Sequence, residues 1–536
     1  MPNMLPFRRS RNGFRVRAGR FGLVLGGAVL ALAGAPASAE DAPTLPAEFL
    51  PAEDPAWRDL EDLWNLGGLT DLPLFTRPLP RGDVAAALER TLRARPDLAS
   101  RPSAVRLRRE LAFERAALGE PATEATSPLI ELREDDALVR IRGEIRAAWS
   151  VDEDRGELAP GSIAAATVRV YPGDRTFARA ELGIENIVDS DPLGDSIVKN
   201  TDAYLSVRDA YVSFRTAAAD IRLGLGTNRW GPGDTGTLLL SDAAFPYPEI
   251  AWARTFGQRF RFVSTTAALH LPEQRWFSGH RIEVAFGSRL RVGIAECAAY
   301  RSSAPDLLYV MGLIPYTLVQ RLHDRTSTPG TPVTPHRNNI AIAGDFAWRP
   351  GHGLRLDGQL LIDDFATESA SQPDRIGWLA GLGWSGWVAG GATSARAEMA
   401  KVYRWTYAVF YDANLIQDGV PLGYGDGPDV ERGRVAVDRD LSPDLRVGVG
   451  VDWRRRGASP VGEFWDPDTA ETRSAGATLT DPVERRVFPH VRVESLWRDA
   501  LRSVVRVGAL DLQNAANVTG ADRRGFAADV SLRARW

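Results

Sequence analysis

One cysteine, two lysines and six histidines in 536 residues leave little room for several kinds of chemistry. A lone thiol, Cys297, excludes an internal disulfide framework and any cysteine-based zinc or iron–sulfur site. Neither Lys199 nor Lys401 lies in a Gly-Lys-Ser/Thr context, which excludes a Walker-type phosphate loop. His270, His280, His323, His336, His352 and His490 form no HExxH and no short metal-spaced pair, so they read as satisfied or water-facing side chains. No G-x-S-x-G elbow offers a serine nucleophile. No metal or cofactor is expected. Hydrophobic residues make up 44% and mean hydropathy is −0.21, values that fit neither a polytopic helical membrane protein nor a disordered chain.

Residues 1–20 carry six arginines and no acid, followed by an apolar run from Phe21 to Ala35 and then Ala37-Ser38-Ala39. This order predicts a secretory signal peptide over residues 1–39, cleaved before Glu40. A membrane anchor is the competing reading, but the run is short and ends in small residues. Removing the leader leaves 59 basic against 69 acidic side chains, which argues against a nucleic-acid partner.

Residues 40–126 carry helical signals. Asp54-Pro55 reads as a cap, Trp57, Leu60 and Trp64 fall on one face, and Gly67-Gly68 ends the run. Val84, Leu88 and Leu92 repeat every four residues, as do Leu107 and Leu111. About three short amphipathic helices must bury their stripes, either on one another as a periplasmic bundle or against the larger region, where they would plug it.

From 127 to 536 the period becomes two. Val139, Ile141, Gly143, Ile145 and Ala147 alternate with Arg140, Arg142, Glu144 and Arg146; Val447, Val449 and Val451 alternate with Gly448, Gly450 and Asp452. Runs of about nine to eleven residues suit tilted bilayer-crossing strands, and in hydrocarbon such strands must close so that every backbone group is bonded. The expected fold is mainly β: a large antiparallel transmembrane barrel of about 16–18 strands after a small helical region, in an outer membrane. Long connections are expected at 322–337, 366–375, 417–434 and 456–484. The uncharged run Ile376–Thr393 alternates and contains six glycines, so it reads as strand and turn, not as a membrane helix. The last strand has Phe526, Val530, Leu532 and Trp536 on one face, as in the terminal strand read by the barrel-assembly machinery.

The segment 224–254 stands apart. A strand runs into Arg229-Trp230-Gly231-Pro232-Gly233-Asp234, then Ser241-Asp242, then Pro246-Tyr247-Pro248 and Arg254. Gly231, Pro232, Gly233, Pro246 and Pro248 predict rigid turns. One reading is a loop that braces the lumen. The other is a polysaccharide site, with Trp230 and Tyr247 as stacking faces and Arg229, Arg254, Asp234 and Asp242 as hydrogen-bonding groups.

This segment resembles the Wzi-type outer-membrane capsule-assembly family, whose pattern runs W-G-P-G, then L-S-N-N-A-R-P-F-P, then an arginine. Trp230 to Gly233, Ser241, Ala244, Pro246, Pro248 and Arg254 match, whereas Asp242, Ala243, Phe245 and Tyr247 depart, Phe245 replacing an arginine. Further similar pieces follow the same order along the chain: Thr76-Arg77-Pro78-Leu79, His280 to Glu283, Glu296 with Tyr300, Asn338-Asn339, Asp363-Asp364-Phe365, and Gly423 with Gly427 to Asp429. The resemblance implies a barrel whose periplasmic side is closed by helices. It also implies a lectin-like, non-catalytic role in assembling and attaching capsular or extracellular polysaccharide, with outer-membrane lipid around the barrel. Two alternatives stand beside it: a porin-like channel for sugars or small solutes, and a barrel enzyme acting on glycan or lipid through carboxylates such as Asp363, Asp364, Glu398 or Asp452.

Overall fold

Strands with one apolar and one charged face satisfy both only by separating lipid from water, and closure removes the unpaired edges. The computed structural model describes residues 47–536 except 122–127, 135–136, 153–154, 159–161, 174, 187–194, 197–202, 258, 326–337, 365–371, 410 and 498–499. The expected signal peptide lies outside the described residues. No helix among them is long and apolar enough to cross a membrane; strands make the crossing.

Four helices come first: α1 (Ala56–Asn65), α2 (Arg81–Ala94), α3 (Pro102–Glu110) and α4 (Ala112–Ala117). Asp54 accepts a hydrogen bond from the Ala56 amide at 2.9 Å, as its position before the helix predicted. Among the described residues eighteen main wall strands follow, with short strand pieces at Ile130–Glu134, Arg155–Leu158 and Asp195–Ser196 paired onto them. The first half comprises β1 (Ala137–Asp152), β2 (Ser162–Gly173), β3 (Thr176–Asn186), β4 (Ala203–Arg215), β5 (Asp220–Gly226), β6 (Tyr247–Phe256), β7 (Phe260–His270), β8 (Arg275–Phe286) and β9 (Leu290–Arg301). Two short helices, α5 (Leu307–Met311) and α6 (Tyr316–Arg325), lie in the next connection. The second half comprises β10 (Asn339–Gly351), β11 (Leu354–Asp364), β12 (Arg375–Val388), β13 (Gly391–Val402), β14 (Val430–Ser442), β15 (Leu445–Arg456), β16 (Glu484–Trp497), β17 (Leu501–Gln513) and β18 (Arg523–Arg535).

Each strand pairs antiparallel with its neighbour in sequence, and β18 returns to β1, so the barrel is closed. At the seam, the Gly143 amide donates to the Trp536 carbonyl at 2.9 Å, and the Trp536 amide donates to the Gly143 carbonyl at 3.1 Å. A side chain at Gly143 would collide with the Trp536 ring, so the terminal aromatic requires a glycine opposite it. The strands run from 7 to 16 residues, a wider spread than the expected nine to eleven. Two expected connections are also shorter: β14 begins at Val430, inside 417–434, and α6 extends to Arg325, inside 322–337. Ile376–Thr393 is strand, turn and strand, as its alternation predicted.

The outer faces carry exposed Ile145, Ile184, Ile250, Val435, Val449, Val491 and Phe526. The inner faces carry paired charges, among them Arg396–Asp357, Arg492–Glu494 and Arg533–Glu144. Short turns gather at one end, the periplasmic end in barrels of this kind, and long connections at the other.

Helices α1–α4 dock inside the short-turn end, and Thr44–Trp536 forms one compact unit. Their own core is Trp57, Leu60, Trp64, Val84, Leu88, Leu92 and Leu107, the stripes seen in the sequence. Carboxylates of this helical region meet arginines projecting from the wall: Glu48–Arg169 at 2.9 Å on β2, Asp59–Arg446 at 3.1 Å on β15, Glu61–Arg355 at 2.7 Å on β11 and Glu110–Arg535 at 3.0 Å on β18. Spread around the barrel, these pairs fix the seating of the helices. For Asp59–Arg446, buried on both sides, removing one partner costs about 3–5 kcal/mol, because the other charge is left uncompensated.

Candidate functional site

The connection from β5 to β6 turns inward instead of rising out of the barrel. Arg229-Trp230 pairs antiparallel with Thr76-Arg77 of the helical region, and the Gly231 amide donates to the Phe75 carbonyl at 2.8 Å. Two pieces singled out separately in the sequence are therefore partners in space.

A pin holds this junction to the wall. Thr76 donates to Glu283 at 2.6 Å and accepts from Arg281 at 2.8 Å, while Arg281 grips Asp345 of β10. Deeper in the loop, Glu398 of β13 accepts from the Asp234 amide at 2.7 Å and the Thr235 amide at 2.8 Å. Leu238, Leu239 and Leu240 are buried against Tyr407, Leu415, Leu422 and Tyr424 from the β13–β14 connection, which also folds inward. Tyr407 donates to the Leu238 carbonyl at 2.6 Å, and the Ser241 amide donates to the Leu422 carbonyl at 2.7 Å. A packed core thus crosses the lumen.

The expected site residues divide accordingly. Trp230 is 2% exposed and Tyr247 1%, so neither offers a face to a sugar. The Trp230 ring lies over Gly279 of β8, where a β-carbon would come within 3.1 Å of it; Tyr247 meets Phe277 edge-on at 5.1 Å. Arg229 is committed to Asp242 at 2.7 Å and to the Gly233 carbonyl. Asp234 is exposed to a cavity inside the barrel, 3.6 Å from Arg434. Burial alone would raise its carboxyl, but Arg434 and Arg396 hold it well below the usual carboxylate range.

Tyr247, Pro248 and Arg254 belong to β6, not to a loop, because Tyr247 pairs with Gly226. Alternation then puts Arg254 on the face of Ile250 and Trp252, the outer wall, with its guanidinium on the Ala217 carbonyl at the short-turn end. It is not part of the inner segment. Gly231, Pro232, Gly233 and Pro246 are buried turn residues, and Pro248 is exposed. Phe245, where the resembling family has arginine, lies 6.0 Å from the Arg208 guanidinium, so a cation reaches this place from β4.

Three of the four carboxylates weighed for catalysis are occupied, and the Asp364 side chain lies outside the described residues. Asp363 accepts from the Tyr407 amide at 2.7 Å, Glu398 holds the inner loop, and Asp452 pairs with Arg506 at 3.2 Å. Among the described residues no His, Cys, Asp or Glu cluster is arranged to hold a metal ion. Cys297 is buried in the lumen core, a packing residue.

Sequence reasoning passed over two features. The β15–β16 connection carries exposed Phe464 and half-buried Trp465 beside Asp466 and Asp468; the available signal was an aromatic pair inside a loop rich in Gly, Pro and Asp. A cavity of about 380 Å³ lies between the helices and the wall, lined by Arg142, Arg169, Arg533, Phe113 and Tyr171 among others. Its residues are scattered along the chain, so no local pattern marks it.

No protein-family model and no curated protein sequence matches the chain. Solved structures do. Wzi of Escherichia coli, an outer-membrane protein involved in group 1 capsule assembly and described as a carbohydrate-binding β-barrel, is similar over 91% of this chain and 99% of its own, with TM-score 0.61 and 14% identity. OprD from Pseudomonas aeruginosa is similar over 76% of this chain and 95% of its own, with TM-score 0.41 and 10% identity. OmpT of Vibrio cholerae covers 76% and 99%, with TM-score 0.37 and 11% identity. At those scores only the likeness to Wzi bears on the fold. With a closed wall of eighteen strands and an apolar exterior, this chain is an outer-membrane β-barrel with a Wzi-like fold.

Proposed function

We propose that this protein binds exported capsular or extracellular polysaccharide and supports its assembly and attachment at the cell surface, without catalysis. The observation that carries the reading is the filled lumen: Trp230, Leu238–Leu240, Tyr407 and Tyr424 form a hydrogen-bonded core where a porin needs open water. The likeness to Wzi, itself a carbohydrate-binding barrel, supports the same reading. With the inner loops packed, glycan contacts fall on the outward connections. Phe464 and Trp465 supply flat apolar surface there, and Asp466 and Asp468 supply acceptors for sugar hydroxyls. Each contact is weak, so affinity accumulates along a repeating chain.

The test is a glycan array probed with refolded protein, alongside Phe464→Ala and Trp465→Ala. Binding to one class of long polysaccharide, weakened in both variants, is expected. Absence of glycan binding together with a steady open-channel current in planar bilayers would replace this reading by that of a porin.

A further inference from the structure

We propose that helices α5 and α6 form a strap on the outside of the barrel, seated in the outer leaflet with acyl chains as their occupant. Consecutive residues of β8 go to opposite sides of the wall. Arg281 and Glu283 point inward to the Thr76 pin. Ser278 and His280 therefore point outward. In register with them are Ala298 and Glu296 on β9, on the same face as Ile294, which is 51% exposed on the outer wall. Ser264 and Thr266 of β7 share this face, opposite His280 and Ser278, and Tyr300 of β9 completes it.

Six polar side chains thus occupy a wall that elsewhere meets hydrocarbon, where no water is present to satisfy them. The two helices cover them. Ser264 donates to the Val310 carbonyl at 3.2 Å, and the Tyr316 amide donates to Glu296 at 2.8 Å. Beneath, Thr266 and Ser278 share a hydrogen bond at 2.7 Å, Ser278 and Tyr300 another at 3.1 Å, and His280 lies 3.3 Å from Glu296. Tyr309, Tyr316 and Val319 are buried on the tyrosine-rich patch, with Tyr300 and Tyr309 stacked at 4.9 Å.

The opposite side of the strap has the wrong character for water. Leu307 is 70% exposed, and Met311, Leu318 and Leu322 are exposed as well. Leu318 and Leu322, four residues apart, form a stripe on α6. The stripe continues the exposed apolar wall of Ile294, Ile342 and Phe346 on the strands beside it. The covered residues lie in the half of β8 and β9 toward the long connections, so the strap is at outer-leaflet depth. Arg321 is exposed on the same side, and its stem is long enough to reach the headgroup layer. The strap lets a polar socket exist on a lipid-facing wall, and it anchors the base of a long extracellular connection in the membrane.

Site-directed spin labelling tests this on the full chain. Cys297, the sole cysteine, is fully buried, so a label introduced by Leu318→Cys reports one place. The protein is reconstituted in phosphatidylcholine vesicles, and collision with oxygen is compared with collision with a water-soluble nickel chelate. Val449→Cys on the bare wall and Asp468→Cys on the β15–β16 connection serve as references. The expected oxygen-to-nickel ratio at 318 matches that at 449 and exceeds that at 468. A ratio like that at 468 places the strap in water and overturns the proposal. Spin–spin broadening at 318, marking a second copy of this chain as occupant, overturns it too. Leu322→Cys repeats the measurement if Leu318→Cys does not refold, as judged by heat-dependent gel migration.

Discussion

Trp230→Ala separates the two meanings of the inner segment. In the structure the indole is a packing element: 2% exposed, over Gly279, and inside the core with Leu238, Leu239 and Leu240. Truncating a buried tryptophan costs about 3–5 kcal/mol through lost transfer energy and the cavity left behind. The main-chain bonds at this position, Trp230 to Leu240 at 3.0 Å and Gly231 to Phe75 at 2.8 Å, do not depend on the side chain. The loss is therefore local, felt between the loop and the helical region and not in the strand ladders. At 1.4 kcal/mol per factor of ten, amide exchange over residues 229–241 rises by about two to three and a half orders of magnitude. Exchange in β14–β18 stays unchanged. Hydrogen exchange read by mass spectrometry on detergent-solubilised protein measures both. Loss of glycan binding with no change in exchange at 229–241 would refute the packing argument and restore the indole as a stacking surface.

Thr76→Val removes the hydroxyl that joins Glu283 to Arg281 while keeping the shape; hydrogen bonds to charged groups are worth about 1.5–3 kcal/mol, so α1 and α2 should exchange faster while the barrel melts unchanged. Acidification should loosen the same helices. Burial alone would raise the carboxyls of Glu48, Asp59, Glu61 and Glu110, but neighbouring arginines, chiefly Arg169, Arg106, Arg355 and Arg535 respectively, hold all four below the ordinary carboxylate range. A lowered folded-state value means the stabilisation is complete above the unfolded value and is lost as pH falls through the folded one. Limited proteolysis of α1–α4 should accordingly be flat at neutral pH and rise only below about pH 4.5, with a smaller rise in Glu61→Gln. A rise beginning near neutrality would contradict the arginine pairing.

The sequence alone determined the alternation, and with it the barrel. A charged residue at every second position, Arg140, Arg142, Glu144 and Arg146 against Ile141, Ile145 and Ala147, has one arrangement in a bilayer, because backbone bonding and charge hydration are local demands that each strand records in itself. The helical stripes at Trp57–Leu60–Trp64 and Val84–Leu88–Leu92 were legible for the same reason. Tertiary structure decided which surface each stripe meets and which way each connection turns. Trp230 and Tyr247 look like stacking residues until Gly279 and Phe277 close over them, and Arg254 joins the inner segment only until strand register turns it to the outside. His280 and Arg281 are neighbours in the chain, yet one faces the strap and the other the pin. Burial of that kind depends on residues tens to hundreds of positions away, which a local pattern does not encode and only the closed barrel brings together.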